Sequence, residues 1–174
     1  ANIGTSEATI KAALAIAPNK EVTIIDGNIS AADLDSIANA TSGKVTVTVT
    51  ADEATDLITD LVNAAATDAL TLTVNGATAT AAQLDVLDNK TSVAVKVDAT
   101  QVTGTFTELN KVYVTNKANF ANLGAENVTI EDTTVTAAQA NTIANATPGV
   151  VTADVAAATA ASLNSALKNA VATD

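Results

Sequence analysis

The chain contains no cysteine, histidine, methionine or tryptophan. Their absence excludes disulfides, thiolate or imidazole metal ligands, histidine general bases and every histidine-containing triad. All eight basic residues are lysines, so no guanidinium is available for a bidentate clamp on phosphate or carboxylate. Aromatic side chains are limited to Phe106, Phe120 and Tyr113. No apolar run approaches the roughly 20 residues of a membrane span, and membrane insertion is not expected. Glycines are scattered singly, and none forms a phosphate-cradling loop after a strand. No catalytic constellation can be assembled from what remains, and the chain does not read as an enzyme.

Acidic residues dominate the charge. Nineteen Asp and Glu against eight Lys give a formal net charge of −11 and a pI near 4.1, which makes nucleic acid a poor partner. The absence of cysteine, with richness in Ala, Thr, Asn and Asp, leans toward an extracellular setting. The sequence starts at Ala1 with no signal-peptide pattern, as expected of a processed product or an excised piece.

A strand-plus-helix unit recurs. Ile29-Ser30-Ala31-Ala32-Asp33-Leu34, Ala79-Thr80-Ala81-Ala82-Gln83-Leu84 and Val135-Thr136-Ala137-Ala138-Gln139-Ala140 are near copies, each placed after a β-branched run and before a helical stretch that ends in Asn-x-Thr. Seven such runs read as strands with one buried face: 22–26, 45–50, 70–74, 93–97, 112–115, 128–131 and 150–153. Apolar pairs at helical spacing lie between them, at Leu34/Ile37, Leu57/Leu61, Leu84/Leu87 and Leu163/Leu167, and a first helix is expected over 6–17. Ser30 with Asp33, Thr50 with Glu53, Thr80 with Gln83 and Thr136 with Gln139 have the spacing of capping boxes or a shorter-armed variant. Asn39, Asn89 and Asn145 are expected to close helices in the left-handed conformation. Fixed-period repetition of this kind predicts one repeat domain over 1–174: a right-handed α/β solenoid of about six to seven units, leucine-rich-repeat-like in layout, with a parallel sheet on one side and short helices on the other. Its ends are expected to be capped by the helices 6–17 and 154–171.

Two surfaces are candidates for binding. The outward strand face would carry Thr46, Thr48, Thr71, Thr73, Tyr113 and Thr115, a surface for a glycan, a receptor or ice; ordinary β-propensity of threonine accounts for the same pattern. Asp26, Asn28, Glu131 and Asp132 sit at strand ends and offer the hard oxygen ligands that calcium takes, although no EF-hand loop or glycine-rich calcium repeat is present. Capping and helix-dipole chemistry would place acids there as well. Asn28, Asn39, Asn89, Asn127 and Asn145 each match the N-glycosylation pattern, which arises readily in a chain this rich in Asn and Thr.

The Thr-Ala-Ala-Gln motif after a Val-Thr-Val run, in 45–58, 70–91 and 128–147, resembles the repeats of very large bacterial cell-surface proteins of the surface-layer and adhesin-like kind. The resemblance implies an extracellular, cell-surface location and a structural or spacer role exerted through self-association or contact with neighbouring domains of the same protein.

Overall fold

Alternation of valine with threonine in Val45–Val49 sends the valines to one side and the threonines to the other, and every strand of this protein uses that rule. The computed structural model describes residues 7–171 and 174, with the side chain of Asp26 excepted. It is a mixed α/β fold of parallel strands and, among the described residues, seven α-helices. One sheet joins β1 (Val22–Ile29), β2 (Val45–Val49) and β4 (Ala69–Thr71) in that order. A second runs β3 (Asp52–Glu53), β5 (Thr73–Asn75), β7 (Val95–Val97), β9 (Phe120–Ala121). The third runs β6 (Thr78–Thr80), β8 (Gln101–Gly104), β10 (Asn127–Ile130), β11 (Val151–Thr152). All pairings are parallel.

Register stacks like on like. Val22 faces Val45, Val47 faces Leu70, and Val128 lies between Val102 and Val151. These rows are buried, and each side chain so removed from water contributes about 1.5–3 kcal/mol against the cost of ordering it. On the other side Thr48 faces Thr71, and Thr129 lies between Thr103 and Thr152.

The helices form a second layer in chain order. They are α1 (Glu7–Ile16), α2 (Ala31–Ala40), α3 (Ala54–Asp60), α4 (Ala81–Asp88), α5 (Phe106–Asn110), α6 (Ala137–Ala146) and α7 (Ala160–Ala166), each packed on the next. Leu34, Ile37, Leu57, Leu84, Leu87, Leu109 and Ile143 point from this layer into one continuous core with the strand valines. Small alanines at Ala31, Ala54, Ala81 and Ala140 let the helix starts sit close to the strands.

Several sequence expectations need correction. Capping boxes form at Thr80/Gln83 and Thr136/Gln139, and Ser30 accepts from the Asp33 N–H, but Thr50 caps nothing. The chain pairs through Asp52 first, and α3 starts after Glu53 without a side-chain cap. A box the repeat did not flag forms at Thr105/Glu108. Residues 112–115 are not a strand: they continue α5 as a π-helical stretch, Lys111–Thr115, because Leu109, Val112 and Tyr113 then turn together into the core. The helix expected over 154–171 is only α7, which buries none of its residues. The first helix is Glu7–Ile16; its expected start at Ser6 lies outside the described residues.

The recurrent Asn-x-Thr also changes meaning. Among the described residues other than glycine only Asn122 has a left-handed backbone, so Asn39, Asn89 and Asn145 do not close helices that way. The threonine is the working residue. Thr41 donates to the Lys20 carbonyl at 2.8 Å and accepts from Gly43 N–H at 2.9 Å. Thr91 donates to the Leu70 carbonyl at 2.8 Å while accepting from the N–H groups of Leu70 (2.9 Å) and Val93 (3.1 Å). Thr147 accepts from Gly149 N–H at 3.0 Å. Each of these threonines latches the turn before a strand, and Thr41 and Thr91 tie it directly to the preceding pass of the chain. Thr91→Val keeps the shape and removes the hydroxyl, leaving two backbone donors without it. Urea unfolding should show a loss of about 2–3 kcal/mol, whereas Asn89→Ala, at an exposed position, should cost less than about 1 kcal/mol.

Candidate functional site

The residues expected to form a threonine surface fall into two groups. Thr48 and Thr71 are exposed neighbours across β2 and β4, with Thr46 half-buried beside Ala69. Thr73 is half-buried and faces Lys96, whose ammonium bonds Asp98 at 2.6 Å. Asn122 donates to the same carboxylate at 2.9 Å. The hydrogen bond from Lys96, followed by that from Asn122, holds the Asp98 carboxyl below its ordinary range. A charged cluster therefore ends the threonine row after two strands.

Tyr113 and Thr115 do not belong to that surface. Both lie on the π-helical stretch, Thr115 exposed on its outer side and Tyr113 completely buried. The Tyr113 hydroxyl donates to the Glu126 carboxylate, itself 1 % exposed, and both Glu126 oxygens accept from Gly124 N–H at 3.0 Å. Gly124 has φ +118°, a backbone that residues with a Cβ rarely adopt, which brings its N–H back onto a side chain two residues ahead. The sequence offered no spacing rule for this pair, since its partners come from a helix and a loop. Desolvation, then the bond to Glu126, pushes the Tyr113 hydroxyl far above its ordinary value. The pair is sealed from solvent and touches no cleft that a substrate could enter. It locks the 111–126 segment under β10.

The candidate calcium ligands do not converge. Asn28 lies on β1 in one sheet, whereas Glu131 and Asp132 follow β10 in another. Asn28 and Glu131 are exposed, and Asp132 accepts from the Phe106 N–H at 2.5 Å, at the first turn of α5. That bond is the helix-dipole use of an acid. The Asp26 side chain lies outside the described residues. Among the described residues no three acidic side chains gather as a metal site would require.

One further acid was missed. Asp68 is buried and accepts from Val45 N–H at 2.8 Å and Ala65 N–H at 2.9 Å, anchoring the loop before β4 to the start of β2. Polar depressions elsewhere are shallow; one is lined by Asp88, Asn89, Thr91 and Asn119. The largely apolar opening lies at the far end, against β11. No helix among the described residues is long and apolar enough to cross a membrane.

No family model, curated protein or solved structure matches this chain.

Tyr113 is the one tyrosine in a chain without tryptophan, so absorbance near 295 nm reports on it alone. In the unfolded chain it ionises near pH 10, and in the fold only well above that. The unfolded state therefore gains from proton loss first, and stability should fall as pH rises beyond about 10. Tyrosinate absorbance should appear together with loss of circular dichroism, in one transition. Tyr113→Phe should remove the coincidence and cost about 1–3 kcal/mol, because Glu126 loses a buried donor.

Proposed function

We propose that this chain is a structural or spacer module of an extracellular bacterial surface protein, built as a right-handed α/β solenoid and working through contacts with neighbouring copies or domains. The observation that carries this reading is the uninterrupted use of polar and acidic groups for the backbone. Thr41, Thr91, Thr147, Asp68 and Asp132 all bind main-chain groups, and Glu126 binds Tyr113 and a main-chain N–H. Little buried chemistry is left over for a ligand. Parallel ladders between passes of similar length, each with one helix beside it, support a solenoid in which each unit contacts only its neighbours. Right-handed crossovers are the rule for parallel strands joined by helices. The net charge of −11 supports a solvated exterior and argues against nucleic acid. In this role calcium and glycan are not needed for folding.

A second reading is a binding module that uses the exposed threonines Thr23, Thr48 and Thr71 for a glycan, a receptor or ice. The row is short and carries no aromatic platform, because Tyr113 is buried. A glycan panel and an ice-recrystallisation assay on the wild type and on a Thr48→Lys/Thr71→Lys variant separate the two. The structural reading expects no saturable ligand and no difference between the proteins. A ligand bound by the wild type and lost in the variant, with circular dichroism unchanged, would establish the binding module instead.

A further inference from the structure

Residues 45–68 and 151–174 are two copies of one unit that align without a gap, Val45 with Val151, Leu57 with Leu163, Leu61 with Leu167 and Asp68 with Asp174. Their conformations match in detail. α3 and α7 are each seven residues long, and their C-caps, Leu61 (φ −91°, ψ 53°) and Leu167 (φ −90°, ψ 51°), share an unusual backbone. Asn63 N–H donates to Asp35 at 2.6 Å, and Asn169 N–H to Asn141 at 2.7 Å. Asp68 binds Val45 N–H at 2.8 Å, and Asp174 binds Val151 N–H at 2.9 Å. Ala65 N–H reaches the second Asp68 oxygen at 2.9 Å, and Val171 N–H reaches that of Asp174 at 2.8 Å.

What differs is what lies on top. After Asp68 the chain enters β4 and β5, and Leu70, Leu72 and Val74 cover the unit completely. Leu57 and Leu61 are then 0 % exposed. In the second copy, Leu163 and Leu167 stay half-exposed, Ala160 and Ala170 are exposed, and α7 has no buried residue. β11 is the edge of its sheet. Beside it lies an opening of about 320 Å³, lined by Ala140, Ala144, Ala153, Val155, Leu167 and Ala170 among others. The Asp174 bond to Val151 does not block a further strand, since Asp68 makes the same bond to Val45 while β4 pairs with β2 one residue on, Thr46 against Ala69.

We propose that the β11–α7 face is a strand acceptor: it takes one parallel β-strand from a partner polypeptide, with apolar side chains at alternate positions in the pattern of Leu70, Leu72 and Val74. The strand enters beside Asp174 and pairs with 152–155, its first apolar residue over Ala153 and its second beside Val155, as Leu70 and Leu72 lie over Val47 and Val49. Ala153 replaces Val47, which leaves room for a large first side chain. This inference rests on the structural-module reading and names the kind of contact through which the module assembles.

The test uses the intact 174-residue chain and a synthetic peptide with the sequence of residues 69–75, Ala-Leu-Thr-Leu-Thr-Val-Asn, against a control in which both leucines and the valine are replaced by serine. Amide hydrogen exchange is followed by NMR. With the peptide about tenfold above its dissociation constant, the amides of 153–167 should exchange roughly tenfold more slowly, while those of β2 and β8 stay unchanged. An Ala153→Asp variant, with circular dichroism and the exchange of β2 as fold controls, should lose the effect. Equal protection by the serine peptide, no protection by either, or protection that rises with protein concentration alone (a second copy covering the face) would overturn the proposal. None of these outcomes bears on the threonine-face ligand panel, so the two readings fail separately.

Discussion

A strand that begins at the edge of a turn has amide groups its own ladder does not reach, and burying them without partners costs about 1–3 kcal/mol apiece. This protein meets that constraint with short polar side chains at the entry to its strands. Asp68 covers Val45, Thr91 covers Leu70 and Val93, and Asp174 covers Val151. Asp68 takes hold of β2 before its own strand begins, and Thr91 takes hold of β4 in the same way. The stacking of valine on valine, and of helix on helix, follows once those entries are held. Glycine serves the same entries where the approach is tightest: a Cβ on Gly43 or Gly149 would run into the main chain at Lys20 or Glu126.

Few large side chains are needed because the layers are close. Alanine at the helix starts brings each helix down onto the strand before it, and leucine at the next inward position reaches the valine rows. The segment 106–126 is where this economy breaks down. A longer connection has to be folded away between β8 and β10, and it receives Phe106, Tyr113 and Phe120, every aromatic in the chain. The strand ladder also shifts there, since β9 continues the row of β7 while β10 continues that of β8. The buried hydroxyl of Tyr113 then needs an acceptor, and Glu126, steered by Gly124, supplies it.

Much of the architecture was legible in local chemistry. The valine-threonine alternation placed β2 and β10, and the hydroxyl-x-x-Gln spacing placed the starts of α4 and α6, because both patterns are set by contacts within a few residues. Lys111–Thr115 was misread for a physical reason. Val-Tyr-Val-Thr is a strong β sequence by side-chain shape, yet the Thr105/Glu108 box starts a helix just upstream, and Leu109, Val112 and Tyr113 share its inner face. Tertiary burial outweighed propensity. The candidate threonine surface lost Tyr113 and Thr115 for that reason, while Thr48 and Thr71, which depend only on alternation, stand exposed side by side. The role of Thr91 was hidden because its acceptor and donors lie about 21 residues away, outside any local window.

Burial in this fold is a property of the neighbouring pass of chain more than of the residue. Leu57 and Leu163 sit at the same place in the same helix, with the same caps and the same anchoring bonds, yet one is sealed and the other half-open. The unit 151–174 holds its shape without the cover that its twin receives, so backbone latches and caps are enough to set conformation. The hydrophobic contribution is added afterwards by whatever strand lies on top. Shape is thus specified within one pass, whereas stability is shared between two. A chain organised in this way can present a finished but uncovered face without unfolding, and such a face is what an assembling module requires.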